Sequence, residues 1–332
     1  MRYVIYGAGA IGSGIGGHLF RTGHETVLVG RPGHVQAIRE RGLQLITGDG
    51  TYTLPVPAVA SAQEVGFGPE RADTDAVLLC VKSQDTERAL QEIRAAGGDT
   101  RELPILCCQN SITNEPAAQR YFRRVYGVLI VIPGVFLEDG VVHNPIKGNA
   151  GFVEIGVFPR GTDALAEEVA GALRKATYAA GANPDVMAAK GSKMLGNLGN
   201  AMGAITDGKG DNKPYMARVR REAQECFRAA GVPFESDEAF GARTRENRGT
   251  SHLPPGLRNL GSSWQSLQRK QGSIEADYLN GEVVRLGRLW GVETPFNEVL
   301  QEIASSMAAR GESPGKYSAD ELMALAEART SQ

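Results

Sequence analysis

The opening 31 residues, MRYVIYGAGAIGSGIGGHLFRTGHETVLVGR, constrain this chain more than any other stretch. Arg2 to Tyr6 is a short β-branched and aromatic run, the pattern of a strand. Gly7, Gly9 and Gly12 follow in the spacing G-x-G-x-x-G. The first glycine permits a tight turn, the second lets the backbone approach a pyrophosphate, and the third lets a new helix lie against the sheet. Gly16, one turn further on, extends that close approach. Ile11, Ile15 and Leu19 form the apolar stripe of a helix running to Thr22, with Gly23 fitting the left-handed position beyond its end. Glu25 to Val29 reads as the second strand. The start of that helix offers N–H groups and a positive dipole end to a phosphate. The glycine spacing alone is weak in a chain holding 42 glycines. The order strand, helix, strand turns it into a dinucleotide-binding expectation, carried by Gly7, Ala8, Gly9, Ala10, Ile11 and Gly12. The competing reading is a βαβ unit with a glycine-rich turn and no ligand.

The end of the second strand chooses between cofactors. An acid there holds the ribose 2′-hydroxyl of NAD, whereas a base suits the 2′-phosphate of NADP. Here the strand ends Val29-Gly30-Arg31 with no acid, and His34 follows, so NADP is expected, with Arg31 on the phosphate. The bland alternative is a solvated surface arginine.

A length of 332 residues points to two domains. Strand and helix signals alternate through the first part. Asp75 to Val81 and Ile105 to Cys108 are continuous apolar runs, as in parallel strands buried on both faces. Thr162 to Ala180 reads as an amphipathic helix, and Thr51 to Val59 as a strand interrupted by prolines. From Asn183 onward helical periodicity takes over, at Val186 to Ile205, Tyr215 to Ala230, Ser263 to Gln271, Ile274 to Trp290 and Pro295 to Ala309. Thr294 reads as the N-cap of the last of these, with Pro295 at its first position. Arg243 to Gly261 is rich in Gly, Pro and Arg and reads as a surface loop. The expected fold is therefore α/β, an N-terminal Rossmann-type doubly wound sheet (residues 1–183) followed by an all-α domain (residues 184–332). Ligands of such sheets lie outside the carboxyl ends of the strands, where Gly7, Arg31, Lys82 and Asn110 all fall.

A net charge of −2 gives no electrostatic reason to expect nucleic acid or an anionic membrane. No apolar run approaches a membrane span, and no signal-peptide pattern precedes the first strand, so the cytoplasm is the expected location. The four cysteines form no C-x-x-C pair and read as reduced thiols, and five scattered histidines suggest no metal site.

In the helical half, Lys193, Asn197 and Asn200 stand at i, i+4 and i+7 of one expected helix, and so on one face. One ammonium and two amides among small residues suit a polar ligand; a polar surface stripe is the alternative. Lys190 lies on much the same face and is the rival lysine. A second polar cluster is Glu275, Asp277 and Asn280 in SIEADYLNG, where solvated acids on a helix face are the commoner explanation.

Together GAGAIG, the strand-end Arg31, Lys82 in VK, Asn110 in QN, Lys193 and Asn197 in KMLGN, and SIEADYLNG after Ser262-Ser263 resemble the ketopantoate reductases (2-dehydropantoate 2-reductases) over about Met1 to Met307. The resemblance implies a nucleotide-binding domain followed by an all-helical one, and reduction of a 2-oxo acid by NADPH, giving pantoate for coenzyme A synthesis. It implies that the glycine loop and Arg31 hold NADPH, that Lys82 lies near its adenosine end, and that Asn110 bridges nicotinamide ribose and substrate. It implies Lys193 as general acid, Asn197 and Asn200 on the substrate's far hydroxyl, Ser263 on its carboxylate, and Glu275 orienting Lys193. Hydride addition to a ketone builds charge on oxygen, which an ammonium can stabilise and then protonate. Three positions depart from the family pattern. Asn197 and Asn200 are three apart where the family has four, the following loop Asp207 to Asn212 lacks a clean asparagine match, and QNG is here QNS, Asn110-Ser111. An enzyme of the same scaffold acting on another 2-oxo acid, and a non-enzymatic NADP(H)-binding redox sensor, are the alternatives. The expected partner is thus a small 2-oxo acid, with no metal, nucleic acid or membrane, and the reading leaves room for a homodimer.

Overall fold

A computed structural model describes residues 1–247, 250–251, 261–270 and 272–330. The chain forms two compact units, Met1–Lys190 with Ser236–Leu257, and Gly191–Glu235 with Arg258–Gln332.

The first unit begins β1 (Arg2–Tyr6), α1 (Ala10–Arg21), β2 (Thr26–Val29), α2 (Pro32–Arg41), β3 (Leu43–Thr47), β4 (Thr51–Leu54), β5 (Ala58–Val59), β6 (Asp75–Leu79) and α3 (Thr86–Ala95). It continues β7 (Ile105–Cys107), α4 (Asn114–Gln119), β8 (Val125–Val131), β9 (Val135–Glu138), β10 (Val141–Asn144), β11 (Ile146–Lys147), β12 (Phe152–Val157), α5 (Ala164–Lys175) and β13 (Ala179–Ala182). Eight strands form one sheet in the order β13-β12-β8-β7-β6-β1-β2-β5. Its pairs are parallel except β12 with β8. Successive residues of β1 alternate across it: Tyr3 and Ile5 join Ile15 and Leu19 of α1 on one face, while Val4 and Tyr6 join Leu90 and Ile93 of α3 on the other. Both faces are covered by helices, which is why the central strands read as unbroken apolar runs. A smaller sheet, β4-β3-β10-β9, pairs β3 with β10 in parallel across a long separation in sequence.

The second unit is helical. The helix α6 (Val186–Asn197) runs into it and is followed by α7 (Gly199–Ile205) and α8 (Lys213–Ala230). Next come α9 (Asp237–Glu246) and β14 (Thr250–Ser251), which group with the first unit and pair β14 with β11. The helices α10 (Ser262–Gln268), α11 (Asn280–Trp290), α12 (Pro295–Ala309) and α13 (Ala319–Thr330) complete the second unit. Within it α10 packs on α7, α11 on α8 and α12, and α13 on α12. No helix among the described residues is long and apolar enough to cross a membrane.

The doubly wound α/β sheet with a helical C-terminal part agrees with the sequence reading, but several elements differ. The expected helix to Ala180 ends at Lys175, and Ala179–Ala182 is an edge strand parallel to β12. Its alanines and glycine carry no strand signal of their own. The single helix expected over Val186 to Ile205 is interrupted at Leu198, and that over Ile274 to Trp290 begins as a 3-10 turn, Glu275–Tyr278. The run Thr51 to Val59 is two separate strands, since each proline removes a ladder donor. Arg243 to Glu246 belong to α9 rather than to a loop; residues 248–249 and 252–260 of that expected loop lie outside the described residues.

Candidate active site

The four strands β7, β6, β1 and β2 are neighbours, and their carboxyl ends deliver Asn110, Lys82, the loop from Gly7 and Arg31 to one edge of the sheet. Gly7 has a φ of 111°, and a Cβ there would stand 2.5 Å from the backbone nitrogen of Val81. A Cβ at Gly12 would stand 2.2 Å from the Gly7 carbonyl oxygen and 3.0 Å from Ile5, so this glycine does bring α1 against the sheet. Gly16 has the same role one turn on, its Cβ position lying 2.4 Å from Leu28. Gly9 is different. Nothing lies within 4 Å of its Cβ position, and it caps α1 without a side-chain hydrogen bond. The loop is thus closed toward the protein and open at the helix start, as a backbone cradle for a pyrophosphate must be.

Arg31 is exposed and is the N-cap of α2, with Pro32 at the first helical position. No ion-pair partner stands beside it among the described residues. Its neighbour His34 behaves otherwise. His34 is buried, its Nδ1 accepts from the Gly140 N–H at 2.9 Å, and its Nε2–H therefore donates to Ser13 Oγ at 3.1 Å. Burial lowers its pKa, with nearby Asp139 opposing and Arg31 reinforcing that shift. It is a neutral brace tying α1 to α2, not a cation for a phosphate.

Lys82 and Asn110 are half-buried. The Asn110 backbone is pinned by residues to which the sequence drew no attention. Its carbonyl accepts from Asn114 Nδ2 at 2.8 Å and Ser83 Oγ at 3.3 Å. Thr86 Oγ1 donates to Asn114 Oδ1 at 2.7 Å and accepts from Gln109 Nε2 at 2.9 Å. The only sequence signal for this net is its density of hydroxyl and amide side chains around two strand ends. Ser111, where the family pattern has glycine, adopts a φ of 74°. The turn still demands the left-handed conformation, and serine meets it with strain.

In the second unit, Lys193 and Asn197 are half-buried on α6, among buried Met194, Leu195 and Leu198, and Asn200 is half-buried on α7. Ser263 is buried in α10, which packs on α7, while Ser262 is exposed. Glu275 is buried at 7% exposure in the 3-10 turn before α11. Asp277, two residues on, is exposed and accepts from Gln301 Nε2 and Ser305 Oγ. Of the two acids, only Asp277 is the solvated kind. The rival Lys190 is spoken for: its Nζ lies 2.6 Å from Glu115 Oε1 and donates to the carbonyls of Cys107 and Gln109, both at 3.0 Å. Among the described residues no group of His, Cys, Asp and Glu could hold a metal ion.

The family model for "Ketopantoate reductase PanE/ApbA" matches residues 3–160, and that for its C-terminal part matches residues 185–308. The 2-dehydropantoate 2-reductase of Pyrococcus horikoshii is 28% identical over 94% of this chain and 99% of its own length. That of Halobacterium salinarum is 30% identical over 91% of this chain and 97% of its own. The crystal structure of a PanE/ApbA family ketopantoate reductase from Ralstonia eutropha JMP134 superposes with a TM-score of 0.76 at 27% identity, covering 94% of this chain and 99% of that one.

Proposed function

The chain belongs to the ketopantoate reductase family, and on that premise we propose that it uses NADPH to reduce 2-dehydropantoate to pantoate. The observation that carries this reading is the edge formed by β7, β6, β1 and β2, where an open glycine loop and an exposed arginine, with no acid at the end of β2, suit a dinucleotide with a 2′-phosphate. When bound, the cofactor supplies a hydride to the ketone carbon. The rest is done by the chain's own side chains. The Lys193 ammonium stabilises the charge that builds on the ketone oxygen and then gives it a proton. Glu275, a buried acid, keeps that ammonium aimed and charged. Asn197 and Asn200 bind the far hydroxyl of the substrate, Ser263 its carboxylate, and Asn110 the nicotinamide ribose and substrate. Fixing the acid at one end and the hydroxyl at the other selects one face of the ketone.

A second reading, another 2-oxo acid on the same scaffold, is favoured by the interruption at Leu198, which separates Asn197 from Asn200. Steady-state rates with NADPH and with NADH, on 2-dehydropantoate and a panel of 2-oxo acids, decide. A kcat/KM highest for 2-dehydropantoate with NADPH supports the proposal. Preference for another 2-oxo acid selects the second reading, and NADPH binding without turnover of any of them leaves a redox sensor.

A further inference from the structure

Lys193 and Asn197 sit on α6 and Asn200 on α7, with Leu198, itself in the right-handed helical region, at the join between them. In an unbroken helix all three would share one face. The join is held from a distance. Asn280, the first residue of α11, donates from Nδ2 to the Leu198 carbonyl at 3.2 Å and to Asn297 Oδ1 at 3.0 Å. Asn297 Nδ2 donates to Glu222 Oε2 at 2.7 Å and to the Val219 carbonyl at 3.0 Å. The Glu222 carboxylate accepts further from the backbone N–H groups of Phe296 and Asn297.

The direction of this chain follows from its end. The Val219 carbonyl can only accept, so Asn297 turns its NH₂ toward it and Glu222 and its oxygen toward Asn280. Asn280 must then turn its NH₂ toward Asn297, and the second hydrogen of that NH₂ reaches Leu198. Neither amide is ambiguous, because the Val219 and Leu198 carbonyls can only accept. All three side chains are buried, Asn280 and Asn297 with no exposed surface. Buried amides cost free energy unless paired, and apolar side chains would fill the same space.

We propose that Asn280, oriented by Asn297 and Glu222, is a specificity-determining positioning residue that fixes the helix join at Leu198 and so sets Asn200 relative to Lys193 and Asn197. This rests on the reading of those three residues as substrate-binding. The substrate feature it controls is recognition of a hydroxyl remote from the 2-oxo acid group.

The test compares Asn280→Ala and Asn280→Ser with the wild type on two 2-oxo acids that differ only in that hydroxyl, 2-dehydropantoate and its deoxy analogue. Serine is well tolerated at a helix start, so Asn280→Ser serves if the alanine variant does not fold. The expected result is a fall of about tenfold in the ratio of the two kcat/KM values, with NADPH affinity within about twofold of wild type. A ratio unchanged, with only the melting temperature lowered, makes Asn280 a purely structural residue and overturns the inference. Lys193→Ala is run alongside. If it retains full activity, the substrate-binding reading of α6 falls; if it is inactive while the Asn280 variants keep the wild-type ratio, only the present inference falls.

Discussion

Lys190 and Glu115 form an ion pair of 2.6 Å in which neither side chain is more than 3% exposed. Burial pushes the Glu115 carboxyl up, and the Lys190 ammonium opposes that shift. The pair joins α6 to α4 and, through the Cys107 and Gln109 carbonyls, to the end of β7. Two lysines three residues apart on one helix thus have different duties.

Lys193→Ala should lower kcat by about 10²-fold or more, the low end of what general acid catalysis contributes, with NADPH affinity unchanged. Lys190→Ala should instead lower stability by about 3 kcal/mol, because Glu115 is left buried without its partner. Rates at saturating substrate and urea unfolding of both variants check this. A stable, inactive Lys190→Ala beside an active Lys193→Ala would reverse the assignment.

Arg31→Ala should weaken NADPH binding at least tenfold and NADH binding little. A charge-assisted hydrogen bond contributes roughly 1.5–3 kcal/mol, and only NADPH carries the group it would meet. Fluorescence titration with both nucleotides measures it. Equal losses would remove the 2′-phosphate from the argument.

Glu275→Gln should reduce kcat more than it raises KM for NADPH, since an oriented ammonium matters most as the alkoxide forms. The amide keeps the size of the buried side chain while removing its charge. An unaltered kcat would mean that Glu275 serves only the packing of the turn before α11.

The His18 contribution to stability should fall as the medium is acidified below pH 6.5, against an opposite contribution from Glu222, whose carboxyl burial raises to about 7. His18, buried in α1, has its pKa pushed down to about 4, chiefly by burial and next by Arg21. Above pH 6.5 the ring is neutral folded or unfolded. Between 6.5 and 4 the unfolded chain takes up the proton and the folded one does not, so stability is lost, by about 3 kcal/mol in full. Urea unfolding at pH 7.5 and 4.5 of the wild type and His18→Gln tests it. The variant should show a visibly flatter dependence, and an identical slope would exclude His18 as the cause.

The buried parallel strands were legible because each has two apolar faces, so Asp75 to Leu79 reads as strand in isolation. The glycine loop was legible because its spacing stands between a strand and a helix, and Gly12 and Gly16 are required by contacts with Gly7, Ile5 and Leu28 inside one βαβ unit; the close approach of Gly7 to Val81 at the end of β6 was not legible. What stayed hidden is decided by partners distant in sequence. Ala179–Ala182 is a strand only because β12 offers an edge. The interruption at Leu198 has its partner in Asn280, 82 residues away. The inward turn of His34 depends on Gly140, and the backbone carbonyl of Asn110 is held by Ser83, 27 residues away, and by Asn114, which Thr86 orients. Local pattern reports the faces of an element, not the side chain that reaches it from elsewhere.

The start of α12 shows a related dependence. Thr294 and Pro295 occupy the cap and first positions, yet Thr294 makes no side-chain cap bond; the N–H groups of Phe296 and Asn297 go to Glu222 of α8. The helix therefore borrows its first turn from another helix. Its first turn is completed only when α8 is docked beside it. A peptide of residues 294–310 should fray at its amino end in a circular dichroism or amide-exchange measurement. In the whole chain the late residues of α12 should gain protection only together with α8, which makes the carboxyl-terminal helices a single cooperative unit and not a string of separately stable ones.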